Sequence, residues 1–229
     1  MARRSFAVIG LGRFGSAIAT TLAELGQDVI GIDGDEERVR ALSDTVLQAV
    51  QLDATDERAL RAAGIQNMDV AVISIGENVE SSVLIVMLVK ELGIPTIIAK
   101  ATTPLHGRIL EKLGVTRVVF PDREMAQRLA HGLVVPNVLD YIELSPDFSI
   151  VEIPAPREFV GKTLKQLELR PRYGLTLIAL KRPAEGGGGV VTNIAPTADD
   201  VIRAGDVLAL LGNNDRFAQL EKLHPVENS

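Results

Sequence analysis

Three glycines at fixed spacing near the start of the chain constrain its fold most strongly. They lie in the segment Gly10-Leu11-Gly12-Arg13-Phe14-Gly15, which follows an apolar run and precedes a helical pattern, the context in which a G-x-G-x-x-G pattern is informative. Gly10 permits a tight turn, Gly12 lets a pyrophosphate approach the backbone, and Gly15 allows the helix to pack closely on the strand. The helix start, with Phe14 in its first turn, adds free N–H groups and partial positive charge. The segment therefore predicts a site for the phosphates of an adenine nucleotide.

A carboxylate follows at the position expected for a ribose contact. Asp33 ends the second predicted strand, 21 residues after Gly12, where it can accept hydrogen bonds from an adenosine ribose. No arginine stands beside it in the sequence to pair with a 2′-phosphate, which argues against NADP. The alternative interpretation is that the glycines serve only the packing of strand against helix.

Apolar strand-like runs alternate with helical patterns through the first half of the chain. The predicted strands are Phe6–Gly10, Asp28–Asp33, Val46–Leu52, Asp69–Ile75, Thr96–Lys100 and Val115–Phe120. The predicted helices between them are Arg13–Leu25, Glu36–Ser43, Glu57–Ala63, Val79–Leu92 and Leu105–Leu113. This alternation is typical of successive βαβ units. It predicts an α/β fold: a Rossmann doubly wound sheet of six parallel strands.

The pattern changes after Phe120, and we predict an N-terminal domain over residues 1–144 and a C-terminal domain over residues 145–229. A helix is expected over Asp122–Val135, followed by prolines that cannot continue it. Beyond the boundary, the second domain is predicted to be a small α+β module. Its predicted elements are strands Ser149–Ile153, Thr176–Lys181 and Val207–Leu211, helices Leu164–Leu169 and Asp215–Leu223, and a loop at Gly186–Gly189.

Composition excludes several classes of function. The chain has 24 Lys and Arg against 30 Asp and Glu, a net charge of −6, which offers no general basic surface for nucleic acid. It has no Cys, so thiolate nucleophiles and cysteine-bound metals are excluded. We expect no metal site. No run approaches the roughly 18 apolar residues that a membrane-spanning helix requires, and we expect a cytoplasmic protein.

Other candidate ligand residues stand where parallel strands end, because ligands bind at the carboxyl ends of such strands. They are Asp53, Ala54, Ile75, Gly76, Glu77, Lys100 and Asp122, with His106 just beyond the fifth strand. Ordinary structural roles stay open: Asp53 and Asp122 precede predicted helices and could be N-caps. Lys100 could be a solvated cation. For His106, a binding role competes with a polar role at the helix entry.

Arg13 stands inside the glycine turn. A guanidinium there lies close to the phosphates, where it can form a charge-assisted bidentate contact to an outer phosphate or to a ligand in a facing subunit. The alternative is a solvated residue in the first helical turn, which is a poor place for a cation because the helix start is already partly positive.

An enzymatic function has less support in the sequence. A Rossmann dehydrogenase needs a proton donor or acceptor near the nicotinamide, and the three histidines show no metal-binding or acid/base pairing. Neither a G-x-S-x-G segment nor a Walker-type G-K-[ST] segment is present. We therefore expect no enzyme and no catalytic residues, with a compact NAD(H)-dependent oxidoreductase or redox sensor as the alternative.

Several segments together resemble one family over almost the whole chain. The chain is similar to the RCK (regulator of potassium conductance) or KTN-domain regulatory subunits of bacterial Ktr and Trk potassium-uptake systems, of the KtrA type. The first-half segments that carry this resemblance are Phe6–Gly15, Gly31–Asp33, Asp53–Thr55, Leu92–Pro95, Ala99–Ala101, Leu110–Gly114 and Asn137–Ile142. In the second half, Tyr173-Gly174 and Ile202–Leu208 resemble the C-terminal RCK module.

The resemblance implies a homo-oligomer, with dimers building an octameric ring on the cytoplasmic face of the membrane. Its partner would be an integral-membrane potassium-translocating subunit of the KtrB/TrkH type. ATP and ADP would compete for the Rossmann cleft, with NAD(H) bound in some members, and nucleotide exchange would gate the pore. The resemblance carries over these nucleotide-site residues, with Arg13 reading the terminal phosphates: Arg13, Asp33, Asp53, Ala54, Ile75, Gly76, Lys100, His106 and Asp122.

One position departs from the family pattern, and one matching segment suggests a second ligand. Close relatives carry Glu where this chain has Asp122, and the shorter carboxylate leaves open whether a cation is bridged to the phosphates there. Some relatives bind cyclic di-AMP at the dimer interface of the C-terminal module, and Arg170 lies in a matching R-x-x-Y-G segment. The alternative for Arg170 is an ordinary surface residue before Pro171.

Overall fold

The computed structural model describes residues 3–134, 138–184, 188–217 and 220. The chain divides into two compact units, Met1–Arg123 and Glu124–Ser229. The predicted limit between residues 144 and 145 falls later, inside a strand of the second unit, and as a limit between domains it stays a prediction. Each unit has its own sheet and its own hydrophobic core.

The first unit is built on a six-stranded parallel sheet with the strand order β3-β2-β1-β4-β5-β6. Its strands are β1 (Ser5–Ile9), β2 (Asp28–Asp33), β3 (Gln48–Gln51), β4 (Val70–Ile73), β5 (Thr96–Lys100) and β6 (Arg117–Val119). The connecting helices are α1 (Arg13–Glu24), α2 (Glu36–Leu42), α3 (Glu57–Ala62), α4 (Val79–Glu91) and α5 (Pro104–Leu113). The predicted Rossmann fold is confirmed, and the strand order reverses between β1 and β4.

Both faces of this sheet are covered, as the apolar strand sequences require. In β1, Ala7 and Ile9 belong to one core cluster, while Val8 belongs to the cluster on the opposite face. In β4, Ala71 and Val72 divide between the same two clusters. Successive side chains of a strand point to opposite faces, so an uninterrupted apolar run is what a doubly covered central strand needs.

Side-chain caps begin most of these helices. The carboxylate of Asp35 accepts hydrogen bonds from the first turn of α2, and Asn78 and Thr103 cap α4 and α5 in the same way. Each cap satisfies a backbone N–H that has no partner within the helix. At the other end of α5, Gly114 adopts a φ of 79°, a left-handed conformation that favours glycine and stops the helix.

The second unit contains an antiparallel sheet with the order β10-β9-β11-β8-β7. Its strands are β7 (Asp140–Ser145), β8 (Phe148–Pro154), β9 (Thr176–Pro183), β10 (Val190–Asn193) and β11 (Val207–Asn213). Its helices are α6 (Pro121–Val134), which crosses the division between the units, α7 (Leu164–Leu167), α8 (Leu169–Tyr173) and α9 (Asn214–Phe217). The small mixed module is confirmed.

Three features of the second unit differ from the sequence prediction. The edge strands β7 and β10 were not predicted: β7 lies in the proline-punctuated stretch, and β10 exposes both Val190 and Val191. The predicted helix over Leu164–Leu169 is interrupted at Glu168, which has a φ of 49°. The predicted closing helix Asp215–Leu223 begins one residue earlier, as α9, and its later part lies outside the described residues except for residue 220.

Candidate functional site

A cleft of about 1120 Å³ opens in the first unit, at the carboxyl ends of β1, β2, β4 and β5. It lies where the strand order reverses, because β1 continues to β2 on one side and is flanked by β4 on the other. Helices that leave a parallel sheet in opposite directions from such a point leave a crevice between their first turns. The predicted residues that line this cleft are Gly10, Gly12, Arg13, Phe14, Asp33, Asp53, Ala54, Ile75, Gly76, Glu77 and Lys100.

Three predicted site residues lie outside the cleft lining. Gly15 is buried beneath the turn, at the contact between α1 and the strands. His106 is buried in α5, and its Nε2 lies 3.2 Å from the hydroxyl of Ser82. Asp122 is exposed in the first turn of α6. The nucleotide roles of all the site residues stay predictions.

The glycine turn is held to the strands on both sides of β1. The amide of Gly10 donates to the carbonyl of Ile32 in β2 at 2.8 Å, and the amide of Ser74, after β4, donates to the carbonyl of Ile9 at 2.7 Å. Gly10 has a φ of 91°, in the region that favours glycine. The beginning of the turn is therefore hydrogen-bonded to the strand on one side and to the segment that follows the strand on the other.

The other two glycines face opposite surroundings. A Cβ added at Gly12 would meet no atom within 4 Å, because it would point into open space beside the cleft-lining backbone. A Cβ added at Gly15 would lie 1.9 Å from the carbonyl oxygen of Gly10. Gly12 thus leaves room for a ligand against the start of α1, and Gly15 allows α1 to approach the turn. This geometry fits the phosphate groups of a nucleotide.

Asp33 links the end of β2 to the glycine turn. Its Oδ2 accepts a 2.6 Å hydrogen bond from the amide of Leu11, and its Oδ1 accepts a 2.9 Å bond from the amide of Asp35. The carboxylate is only 10% exposed, and it still lines the cleft. Two backbone donors therefore hold this carboxylate beside the glycine turn.

An arginine lies beside Asp33 in the folded chain, although none stands beside it in the sequence. Nη1 of Arg38 is 3.5 Å from Oδ2 of Asp33, and Arg38 also lines the cleft. The absence of an arginine next to Asp33 in the sequence is therefore no argument against NADP. Residue 38 lies in the first turn of α2, and the helix places its side chain close to Asp33 at the end of β2.

Lys100 reaches across the cleft from the end of β5. Its Nζ lies 5.8 Å from the centre of the Phe14 ring in α1, at a distance where a cation is attracted to an aromatic face. A Cβ added at Gly76 would lie 2.8 Å from Cγ2 of Thr102 and 3.4 Å from Cε of Lys100, so Thr102 packs too closely on Gly76 to leave room for a side chain, while the lysine would only be in ordinary contact with it. Lys100 is half-buried, and its ligand role stays a prediction beside the alternative of a solvated cation.

Two domain matches and two curated relatives show the family. Residues 6–121 match the TrkA-N domain and residues 148–224 match the TrkA-C domain. The chain is 40% identical to the Ktr system potassium uptake protein C of Bacillus subtilis, covering 96% of this chain and 97% of the relative. It is 37% identical to the Ktr system potassium uptake protein A of the same organism, covering 95% and 96%. The chain belongs to this Ktr/Trk potassium-uptake family. The sequence resemblance is confirmed.

The family's RCK fold also appears among solved structures. The GsuK channel bound to NAD superimposes with a TM-score of 0.64 at 19% identity, covering 100% of this chain and 41% of the channel chain. At this identity the likeness shows the fold alone. The chain thus has the fold of one part of that channel and spans less than half of its length.

No helix in the described part of the chain is a candidate for a membrane span. Within the described ranges, the helices are too short or too polar to cross a bilayer. The same residues contain no group of three or more His, Cys, Asp or Glu side chains placed to hold a metal ion.

Asp53 forms a local turn beside the cleft instead of capping a helix. Its Oδ1 accepts hydrogen bonds from the hydroxyl of Thr55 at 2.7 Å and from the Thr55 amide at 2.9 Å. These bonds hold the pKa of the Asp53 carboxyl below its usual value. Asp56 caps α3, so the N-cap alternative for Asp53 is wrong. The carboxylate stays exposed and charged at the rim.

The sequence reasoning missed several residues of the cleft. Ser74 and Thr102 follow the ends of β4 and β5, and the Thr102 hydroxyl donates to the carbonyl of Gly76 at 3.2 Å. The rule that found Lys100 would have found both, because Ser74 directly follows β4 and Thr102 lies two residues after the end of β5. Arg38 had no comparable signal, since it lies within a helix. Other unpredicted lining residues are Ile9, Leu11, Ser16, Ile32, Gly34, Gln51, Leu52, Thr55, Asn78, Ser81 and Ile85.

Proposed function

We propose that this chain is a nucleotide-sensing regulatory subunit that gates a membrane potassium transporter. The observation that carries the proposal is the position of Arg13. It is the first residue of α1, it is exposed, and it lines the cleft beside the glycine turn. A cation at a helix start is unfavourable by itself, and the phosphates of a bound nucleotide would reverse that effect.

ATP and ADP are the proposed ligands, with NAD(H) as a third. All three place a pyrophosphate against the glycine turn, where the first turn of α1 offers N–H groups. The solved GsuK structure bound to NAD has the same fold, which supports an adenine dinucleotide in such a cleft. Arg13 and Lys100 would contact the outer phosphates, and this contact would distinguish ATP from ADP.

Gating requires that the nucleotide bind two states of an assembly with different affinities. We propose an octameric ring of dimers attached to the cytoplasmic face of a potassium-translocating membrane subunit of the KtrB/TrkH type. In such a ring, a γ-phosphate that meets Arg13 of a facing subunit would stabilise one ring shape over the other. The chain would be cytoplasmic and peripheral to the membrane through this partner.

A non-enzymatic role is part of the proposal. The cleft lining contains no histidine, and its charged side chains are three cations and three carboxylates, Arg13, Arg38, Lys100, Asp33, Asp53 and Glu77. The alternative, an NAD(H)-dependent oxidoreductase or redox sensor, needs a proton donor or acceptor beside the nicotinamide. Turnover of a carbonyl substrate with NADH would favour that alternative.

Calorimetric titration of the full chain with ATP, ADP, NAD and NADH tests the ligand. We expect Arg13→Ala to weaken ATP more than ADP, by about 10-fold or more, because a charge-assisted hydrogen bond contributes about 1.5–3 kcal/mol. Arg40→Ala is the matched control, since Arg40 is exposed outside the cleft lining and pairs with Glu36 at 2.9 Å. Binding of NADH by a chain that binds neither ATP nor ADP would contradict the proposed role as a nucleotide sensor.

A flux experiment tests the gating. The membrane subunit that co-purifies with this chain is reconstituted in vesicles, and potassium efflux is measured with the chain and ATP, with the chain and ADP, and without the chain. We expect the two nucleotides to give different fluxes and Arg13→Ala to remove the difference. Equal flux under all conditions would overturn the gating role.

Binding of cyclic di-AMP to the second unit is a separate proposal from the sequence resemblance. Arg170 lies exposed in α8, which is compatible with a contact to a phosphate. Titration of the full chain with cyclic di-AMP, repeated with Arg170→Ala, tests it. No heat of binding at high concentration would remove this ligand.

A further inference from the structure

We infer that Arg38 makes the cleft accept adenine nucleotides that carry a 2′-phosphate, and that it sets the discrimination at the ribose 2′ position. This inference rests on the proposed nucleotide site. Arg38 is not part of the glycine turn, and it is not one of the residues proposed to contact the outer phosphates.

Arg38 is attracted to its neighbours but not tightly bound to them. Its Nη1 lies 3.5 Å from Oδ2 of Asp33, and its Nε lies 3.7 Å from Oδ2 of Asp35. A short bond between a guanidinium and a carboxylate measures about 2.7–2.9 Å, so both described contacts are long. The side chain is 53% exposed and has five N–H donors. It can turn toward a ligand without breaking a short ion pair.

Asp33 cannot move in the same way. The amides of Leu11 and Asp35 donate to its two oxygens at 2.6 and 2.9 Å. A nucleotide with its phosphates on the glycine turn places its adenosine ribose beside the carboxylate that ends the second strand. The 2′ substituent would therefore meet a fixed carboxylate, with the guanidinium of Arg38 within one side-chain length of it.

The charges of these two groups decide which substituents are tolerated. A carboxylate alone accepts a hydrogen bond from a 2′-hydroxyl but repels a 2′-phosphate. A guanidinium beside it offsets that repulsion and matches phosphate oxygens with two parallel N–H donors. The pair can thus hold a hydroxyl through Asp33 or a phosphate through Arg38. The expected ligand class is 2′-phosphorylated adenine nucleotides, in addition to the unphosphorylated ones.

The test uses two ligands that differ only at the 2′ position. The full chain is titrated calorimetrically with ADP-ribose and with 2′-phospho-ADP-ribose, and ADP is titrated separately. We expect the wild-type chain to bind both ADP-ribose and 2′-phospho-ADP-ribose. Arg38→Gln should weaken the 2′-phosphorylated ligand by about 10-fold or more, as expected for the loss of a charge-assisted contact, and ADP-ribose by less than about 3-fold. Arg38→Lys keeps the positive charge but lacks the planar guanidinium. Its affinity for 2′-phospho-ADP-ribose should lie between those of the wild type and Arg38→Gln.

Arg40→Gln is the matched control, because it removes the same charge from the same helix outside the cleft lining. It should leave both affinities unchanged. The inference is overturned if ADP binds but 2′-phospho-ADP-ribose does not. It is also overturned if Arg38→Gln lowers the affinities for ADP-ribose and 2′-phospho-ADP-ribose by the same factor. If ADP itself does not bind, the proposed nucleotide function fails instead.

Discussion

The amide of Leu11 donates a 2.6 Å hydrogen bond to Oδ2 of Asp33. This bond joins the glycine turn after β1 to the end of β2, across the point where a nucleotide would pass from phosphate to ribose. The carboxylate therefore has a structural role before any ligand is present. A ligand contact would use the acceptor capacity that these backbone bonds leave, since each carboxylate oxygen can accept more than one bond.

Asp33→Ala is expected to lower stability even without nucleotide. The substitution leaves the amides of Leu11 and Asp35 without this acceptor, and a backbone donor without a partner costs about 1–3 kcal/mol when water cannot replace it. Urea unfolding of the ligand-free chain measures the loss. An unchanged midpoint would show that the two bonds contribute little, and any binding defect would then belong to the ribose contact.

Gly15→Ala and Gly12→Ala are expected to separate folding from binding. A Cβ at Gly15 would lie 1.9 Å from the carbonyl oxygen of Gly10, so α1 must shift, at a cost of about 1–3 kcal/mol or more. A Cβ at Gly12 meets no protein atom within 4 Å, and Gly12 has a φ of −67° that alanine adopts.

Thermal unfolding and ADP titration of both variants measure the two effects. We expect Gly12→Ala to keep the unfolding temperature but to lose ADP affinity, because the new methyl group occupies the approach of the phosphates. Normal ADP binding by Gly12→Ala would contradict a phosphate site at this turn.

Arg182→Ala is expected to destabilise the second unit strongly. Nε and Nη2 of Arg182 both donate to the carboxylate of Asp206 at 2.8 Å, and that carboxylate is fully buried. Removal of the guanidinium leaves a buried charge with only the amide of Arg203 as its described donor, at a cost of up to about 3–5 kcal/mol. Arg172→Ala is the control: its ion pair with Glu168 measures 3.9 Å on the surface and should change stability by less than about 1 kcal/mol. Chemical unfolding compares the two variants.

Stability is expected to fall at mildly acidic pH through His106. Burial lowers the pKa of His106, so the folded chain protonates this ring at a lower pH than the unfolded chain does. Below about pH 6.5, the ordinary value for histidine, the unfolded chain gains a proton that the folded chain does not. The free energy of unfolding then declines as pH falls, by at most about 1.4 kcal/mol per pH unit. Urea unfolding from pH 7.5 to 5.5 should show a shallower decline for His106→Gln than for the wild type, and equal slopes would refute this role.

Glu168→Gly is expected to leave stability unchanged or to raise it slightly. Glu168 has a φ of 49° between α7 and α8. A residue with a Cβ is strained in this conformation by about 1–2 kcal/mol. Glycine avoids the strain, but it loses more conformational entropy on folding, which costs about 0.5–1 kcal/mol. Thermal unfolding measures the net effect. A loss above about 1 kcal/mol would mean that its surface ion pair with Arg172 matters more than its geometry indicates.

Much of the first unit was predictable because each strand is read by its own local pattern. β2 and β5 have the predicted bounds, and the helices start where caps such as Asp35 and Asn78 stand. The edge strands β7 and β10 were missed because an edge strand is covered less completely and carries no continuous apolar run. Glu168 could not be foreseen as a helix end, because nothing in its residue type favours a positive φ.

The amino-acid sequence by itself determined the glycine turn, the order of strands and helices in the first unit, and the family. These depend on neighbouring residues: a glycine spacing, an apolar run, a cap. Only the tertiary structure decided that Gly15 supports the turn without lining the cleft, that His106 is buried away from the lining, and that Arg38 faces Asp33. Such contacts form where the ends of separate strands and the first turns of separate helices meet. The spacing of two residues in the sequence does not give the distance between their side chains in the fold.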